Sequence, residues 1–173
     1  MMEETEFWEL IDSARTAADG DADEQGELLV DRLAQLDPDA VTCFAQHFES
    51  RYNRAYQWDL WAAAWILLDG ASDDVFSSFR CWLIGQGREV FENAAHDADT
   101  LAGLLGEFDA DLDGDGEELG FTADDAYEQL TGQELPELGL PEPPEEPVGV
   151  PLDLEDERAL AERLPKLWER FRA

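Results

Sequence analysis

The sequence predicts an all-α protein: an irregular bundle of about seven to nine helices, with a Pro-rich linker and a docked C-terminal helix. Three observations carry this. Apolar residues recur at three- and four-residue spacing through most of the chain, Ser, Asp and Gly stand where those runs begin and end, and no segment alternates apolar and polar residues beyond a few positions. With 173 residues and 44% hydrophobic content, the chain has the material for one core.

Phe7, Leu10, Ile11 and Ala14 fall at i, i+3, i+4 and i+7, with Thr5 as N-cap and Gly20 as the stop. Leu28, Leu29, Leu33 and Leu36 mark a second helix. Asp37-Pro38 reads as an N-cap followed by proline at the first helical position, where a missing amide costs nothing. The third helix sets Phe44, Phe48, Tyr52 and Tyr56 at four-residue spacing, and Trp58, Trp61, Trp65 and Leu68 follow on it or on a kinked continuation. Trp58, Trp61, Trp65 and Trp82 are expected to be largely buried. Gly70 closes that stretch and Ser72 opens the next, with Asp73 and Asp74 in the first turn and Phe76, Phe79, Trp82 and Leu83 inside. Gly85 and Gly87 precede Val90, Phe91 and Ala94; Asp97 or Asp99 caps a helix bearing Leu101, Leu104 and Leu105. An Asp/Gly-rich loop covers 109–120, and Thr122 caps a helix that Gly132 ends. The chain thus divides into an acidic helical domain (1–134), a Pro/Glu-rich linker (135–152) and an amphipathic tail helix (153–173). Asp153 caps that tail, and its stripe of Leu160, Leu164, Leu167, Trp168 and Phe171 suits docking.

Charge is the strongest global feature. Forty-three acids face eleven Lys and Arg, a formal charge of −32. Such a surface repels phosphates and anionic membranes, which disfavours direct nucleic-acid and membrane binding. The acid serves as a solvating surface, as a footprint for a basic partner, or as an adaptation to a salty cytoplasm. It is unevenly spread: residues 1–43 carry thirteen acids and two Arg, and 92–173 carry twenty-four acids and five basic groups. Residues 44–91 carry only six acids and four Arg, with eleven of the eighteen aromatics, so core and site are expected there. The acidic start, the short apolar runs and two isolated cysteines, Cys43 and Cys81, indicate a cytoplasmic protein.

The run Trp58-Asp59-Leu60-Trp61, then Gly70-Ala71-Ser72-Asp73-Asp74, Phe76, Phe79-Arg80 and Trp82-Leu83-Ile84, is distinctive. With Gly87, Val90-Phe91-Glu92 and His96-Asp97-Ala98-Asp99, it resembles the bacterial domain-of-unknown-function 4240 family over roughly residues 5–131. Members usually read Asp-Pro-Asp where this chain has Asp97-Ala98-Asp99, a departure that loosens a helix start. The resemblance implies a bacterial helical domain and brings no activity with it.

Several constellations bear chemistry. Asp73 and Asp74 suit an acid/base pair or a metal edge, although carboxylates in a first helical turn also complement the helix dipole. Arg80 shares a face with Phe76, Phe79 and Leu83; a buried guanidinium needs a carboxylate or a ligand anion, with Asp59, Asp73 and Asp74 as partners. His47, Arg51 and Arg54 stand at i, i+4 and i+7 as a positive edge. The candidate cleft is therefore His47, Arg51, Arg54, Asp59, Trp61, Asp73, Asp74, Arg80 and Trp82. Asp109, Asp111, Asp113 and Asp115, with Gly114, match the first half of an EF-hand calcium loop. Gly120 stands where the closing Glu is required, leaving a weak Ca²⁺ site or a solvated loop; no other cofactor is indicated. His47-Phe48-Glu49 lacks the Pro-Cys-x-x-Cys of zinc deaminases, and no phosphate-binding or hydrolase motif occurs. The reading is an acidic, non-enzymatic module for a protein partner, a basic one by charge, of inhibitor, immunity or regulatory type. The rival is a small-molecule binder or hydrolase using Arg80 with Asp73 and Asp74.

Overall fold

Proline and short capping side chains set several of the helix starts. The computed structural model describes residues 2–172 and is all-α, with no strand among those residues. Its helices are α1 (Glu4–Ala17), α2 (Ala22–Leu33), α3 (Pro38–Arg54), α4 (Trp58–Leu68) and α5 (Asp73–Gly85). They continue as α6 (Arg88–His96), α7 (Leu101–Leu104), α8 (Thr122–Thr131), α9 (Glu157–Arg163) and α10 (Pro165–Phe171). Two 3-10 turns, Ala98–Thr100 and Glu117–Phe121, lead into α7 and α8. Ten helices exceed the expected seven to nine. The tail accounts for part of the excess: Pro165 has no amide to continue α9, so a second helix starts there. Asp37 and Ser72 cap α3 and α5 as expected, through the amides of Ala40 and Val75. Thr5 instead lies inside α1, where Glu3 is the N-cap, and Asp156, not Asp153, caps α9 through the amides of Arg158 and Ala159.

One continuous core runs from Phe7 on α1 through Phe44, Leu60, Phe76, Phe79 and Phe91 to Leu160, Leu164 and Leu167 in the tail. Of the four tryptophans expected in it, Trp82 is buried, while Trp58, Trp61 and Trp65 are half-buried. The correction follows from α4 itself. Its sequence WDLWAAAWILL is apolar on nearly every side, so periodicity does not say which face turns inward. Alanines 62, 63 and 64 with Leu60 take the buried positions, and Trp61 lies flat on Phe76 (centroids 5.0 Å apart) while its indole N–H donates to the Ala71 carbonyl.

Residues 135–152 lie along the body. Gln46 donates to the Leu138 carbonyl, and Val148 exchanges backbone hydrogen bonds with Tyr56 and Trp58. The tail is fastened by charge as well as by leucines. Asp99, only 8% exposed, accepts the amides of Lys166 and Leu167 and so caps the start of α10 from another part of the chain. Arg170 donates to the carbonyls of Ala102, Leu105 and Gly106, and Arg163 pairs with Asp59. Asp99→Ala should cost about 2 kcal/mol, since the part-buried Lys166 amide and the buried Leu167 amide lose a charged acceptor. Limited proteolysis should then cut within 140–155 faster than in the parent; an unchanged digestion pattern would show that Leu160, Leu164 and Leu167 hold the tail alone.

Candidate functional site

A concave feature of the molecule lies between α3, α5 and the start of α8, and a shallower one, lined by Glu27, Asp31, Asp125 and Glu128, lies between α2 and α8. The first is a half-open groove of about 790 Å³, within the size range of small-ligand sites. Phe44, Ala45, Phe48, Glu49 and Tyr52 come from one face of α3. Asp74, Ser77, Ser78 and Cys81 come from one face of α5, at i, i+3, i+4 and i+7. The third wall runs from Glu117 through Phe121 to Asp124, and Leu135 and Leu138 close one side. The floor is apolar and aromatic, and the rim carries Glu49, Asp74, Glu117 and Asp124. No Lys or Arg lines it among the described residues. Partial burial raises the Asp124 carboxyl above its ordinary value; its own amide opposes this and Asp125 adds to it.

A glycine sets the third wall against α5. At Gly116 the loop touches α5 backbone to backbone, its amide donating to the Ser78 carbonyl, and a Cβ there would stand 2.4 Å from the Trp82 nitrogen. Cys81 lies buried beneath Gly120. Desolvation pushes its thiol up to about 12, against the lowering charge of Arg80, so it is held protonated and inert as a nucleophile.

The residues of the expected cleft do not converge. His47 hydrogen-bonds the Met2 carbonyl through Nε2. Arg51 contacts the His47 ring, pairs with Glu4 at 2.9 Å and lies over the Phe7 and Trp8 rings. Burial raises the Glu4 carboxyl, but the hydrogen bond and charge of Arg51, with Arg88 nearby, bring it below its ordinary value. Arg54 pairs with Glu92 at 2.8 Å. These three side chains therefore tie α3 to the N-terminal segment and α6. Asp59 is taken by Arg163, Trp61 by Ala71, and Trp82 packs against Phe79 and Phe108. Asp73 and Asp74 are exposed in the first turn of α5, and of the nine residues only Asp74 lines the groove.

Arg80 is buried in aromatic surroundings, but its partners differ from those expected. It is 7% exposed and, among the described residues, has no carboxylate within ion-pairing distance. Its guanidinium carbon lies 3.9 Å from the Tyr52 ring centre, 4.8 Å from Tyr56 and 5.0 Å from Phe76. It donates to the Tyr52 carbonyl, the Tyr52 hydroxyl and, at 3.5 Å, the Ser77 hydroxyl, and its Nε has no partner. Desolvation lowers its pKa from the ordinary value, offset in part by Tyr52, Cys81 and Tyr56. Tyr52 and Ser77 both line the groove, so Arg80 stands directly behind its wall.

The Asp-rich loop turns its carboxylates onto its own backbone. Asp109 accepts the Asp111 amide, Asp113 accepts the Asp109 amide, and Asp115 accepts the Glu117 amide. Among the described residues, no group of three or more His, Cys, Asp or Glu side chains is placed to hold a metal ion, and no helix is long and apolar enough to cross a membrane.

Sequence reasoning missed Glu49, Tyr52, Ser77 and Asp124 as site residues. A signal for one of them exists: Ser77, with Ser78 beside it, is a small polar residue inside an otherwise apolar helix, one turn beyond Asp74. A family model described as protein of unknown function (DUF4240) matches residues 2–129. No curated protein and no solved structure matches the chain.

Proposed function

The chain belongs to the DUF4240 family, and since that description carries no activity, we propose from the groove that the protein is a non-enzymatic module receiving a basic segment of a protein partner. The supporting observation is the groove's charge: Glu49, Asp74, Glu117 and Asp124 line it together with the rings of Phe48, Tyr52 and Phe121, with no cation lining it among the described residues. Ion pairs among the described residues engage only five of the 43 acids, so charge compensation is left largely to solvent ions or a partner. Aromatic faces beside carboxylates suit an Arg or Lys side chain, which they hold by ring quadrupole and charge together. The proposal sets the protein in the cytoplasm, in keeping with its two free cysteines.

The rival reading, a small-molecule binder or hydrolase, is favoured by one observation: Asp74 lines this groove and Arg80 backs it. Against it, no histidine lines the groove, and its one thiol is held protonated.

Calorimetric titration tests the proposal, with a short Lys/Arg-rich peptide compared against an Asp/Glu-rich peptide of equal length. The basic peptide should bind and the acidic one should not, with affinity falling as salt rises. Glu49→Gln combined with Asp124→Asn should weaken binding roughly tenfold. The matched change Glu27→Gln with Asp31→Asn, on α2 outside the groove, should leave it unchanged. Equal losses from both pairs would reduce the interaction to diffuse charge and remove the groove from the account.

A further inference from the structure

Among the described residues, Arg80 is a buried cation without an anion, in a chain with 43 acids to choose from. Burying a guanidinium is costly unless a carboxylate or equivalent anion accompanies it, and three aromatic faces supply only part of that compensation. Its hydrogen bonds also orient two groups of the groove. The Tyr52 and Ser77 hydroxyls accept from Arg80, so their own O–H bonds point away from it, and neither donates to another group among the described residues. A hydroxyl that accepts from a cation is a stronger donor in turn. The groove wall at α5 is thus built to receive an oxyanion, while the rim beyond it is built to receive a cation.

Resting on the reading above, we propose that the groove holds the C-terminal end of its basic partner. The terminal carboxylate accepts from the Tyr52 and Ser77 hydroxyls in front of Arg80, and a basic side chain next to it meets the rim carboxylates, with Asp74, one turn from Ser77, the nearest along α5 and Glu49, Glu117 and Asp124 beyond. The dimensions agree with this. A cavity of about 790 Å³ is of the size that takes small ligands, and it accommodates a short chain end more readily than the length of a helix. An internal segment brings no main-chain negative charge to Arg80. An acidic partner end without a basic neighbour would be rejected by the rim.

The test uses the full chain and one basic peptide made in two forms, with a free C-terminal carboxylate and with a C-terminal amide. The free-acid form should bind roughly tenfold more tightly, the effect of one charge-assisted hydrogen-bonded contact. Ser77→Ala, and separately Tyr52→Phe, should weaken the free-acid form more than the amide and so shrink that preference to about threefold or less; thermal melting confirms that each variant is folded. Equal affinity for the two forms would overturn the chain-end assignment and leave the basic-segment reading standing. Failure of both forms to bind would overturn both. Free arginine binding as tightly as the free-acid peptide would also overturn it, by making a single amino acid the ligand.

Discussion

Trp82→Ala is expected to cost about 3–5 kcal/mol, the loss usual for deleting a large buried aromatic. Trp82 is 4% exposed on α5, its ring 5.5 Å from Phe79 and 5.5 Å edge-on from Phe108, which in turn meets Phe171 of the tail. Removing it empties the junction of α5, the loop and α10 at once. Equilibrium urea unfolding measures the loss directly, with an unchanged denaturant slope showing that the folded state is the same. Trp58→Ala is the control: being half-buried, it should cost under about 2 kcal/mol. A loss below about 1 kcal/mol at Trp82 would mean that the α5 face is surface.

Gly116→Ala should cost about 3 kcal/mol, an unusual amount for one methyl group in a loop. The reason is contact and not backbone strain, since Gly116 has a φ of −122°. Its Cβ would meet Trp82 N at 2.4 Å, Trp82 Cα at 2.5 Å and Cys81 C at 2.9 Å, all main-chain atoms that no rotamer change can move. The loop must lift off α5, breaking the hydrogen bond from the Gly116 amide to Ser78 and displacing Glu117 and Leu119 from the groove wall. Stability and peptide binding should therefore fall together. Gly106→Ala, with open space around its Cβ, should do neither. Near-parent stability in Gly116→Ala would show that the loop is not seated as described.

Most of the helices are legible in the sequence because their periodicity and several of their caps are local signals. Asp37-Pro38 and Ser72 are capping signals read within four residues, and the Phe44-Phe48-Tyr52 stripe gives a buried face outright. What failed was whatever depends on which elements meet. The spacing sets Arg80 among aromatics, yet its contacts with Tyr52 span twenty-eight residues, and none of the expected partners Asp59, Asp73 and Asp74 pairs with it. Asp99 reads as a helix start and instead caps a helix sixty-seven residues onward. Gly116 reads as part of a solvated acidic loop because nothing nearby in sequence reveals the backbone of α5 beneath it. The groove itself needs α3, α5, α8 and residues 135–138 together, so periodicity supplied its faces and only tertiary packing brought them round one space.

The central claim is that binding resides in the groove and not in the acid surface at large. Amide chemical-shift mapping of the protein with the free-acid basic peptide tests it most directly, because every backbone position reports separately. The account predicts shifts concentrated at Glu49, Tyr52, Ser77, Cys81, Gly120, Thr122 and Asp124, saturating together at one peptide equivalent. Shifts spread across α2, the Asp109–Asp115 loop and the tail, without saturation, would contradict it.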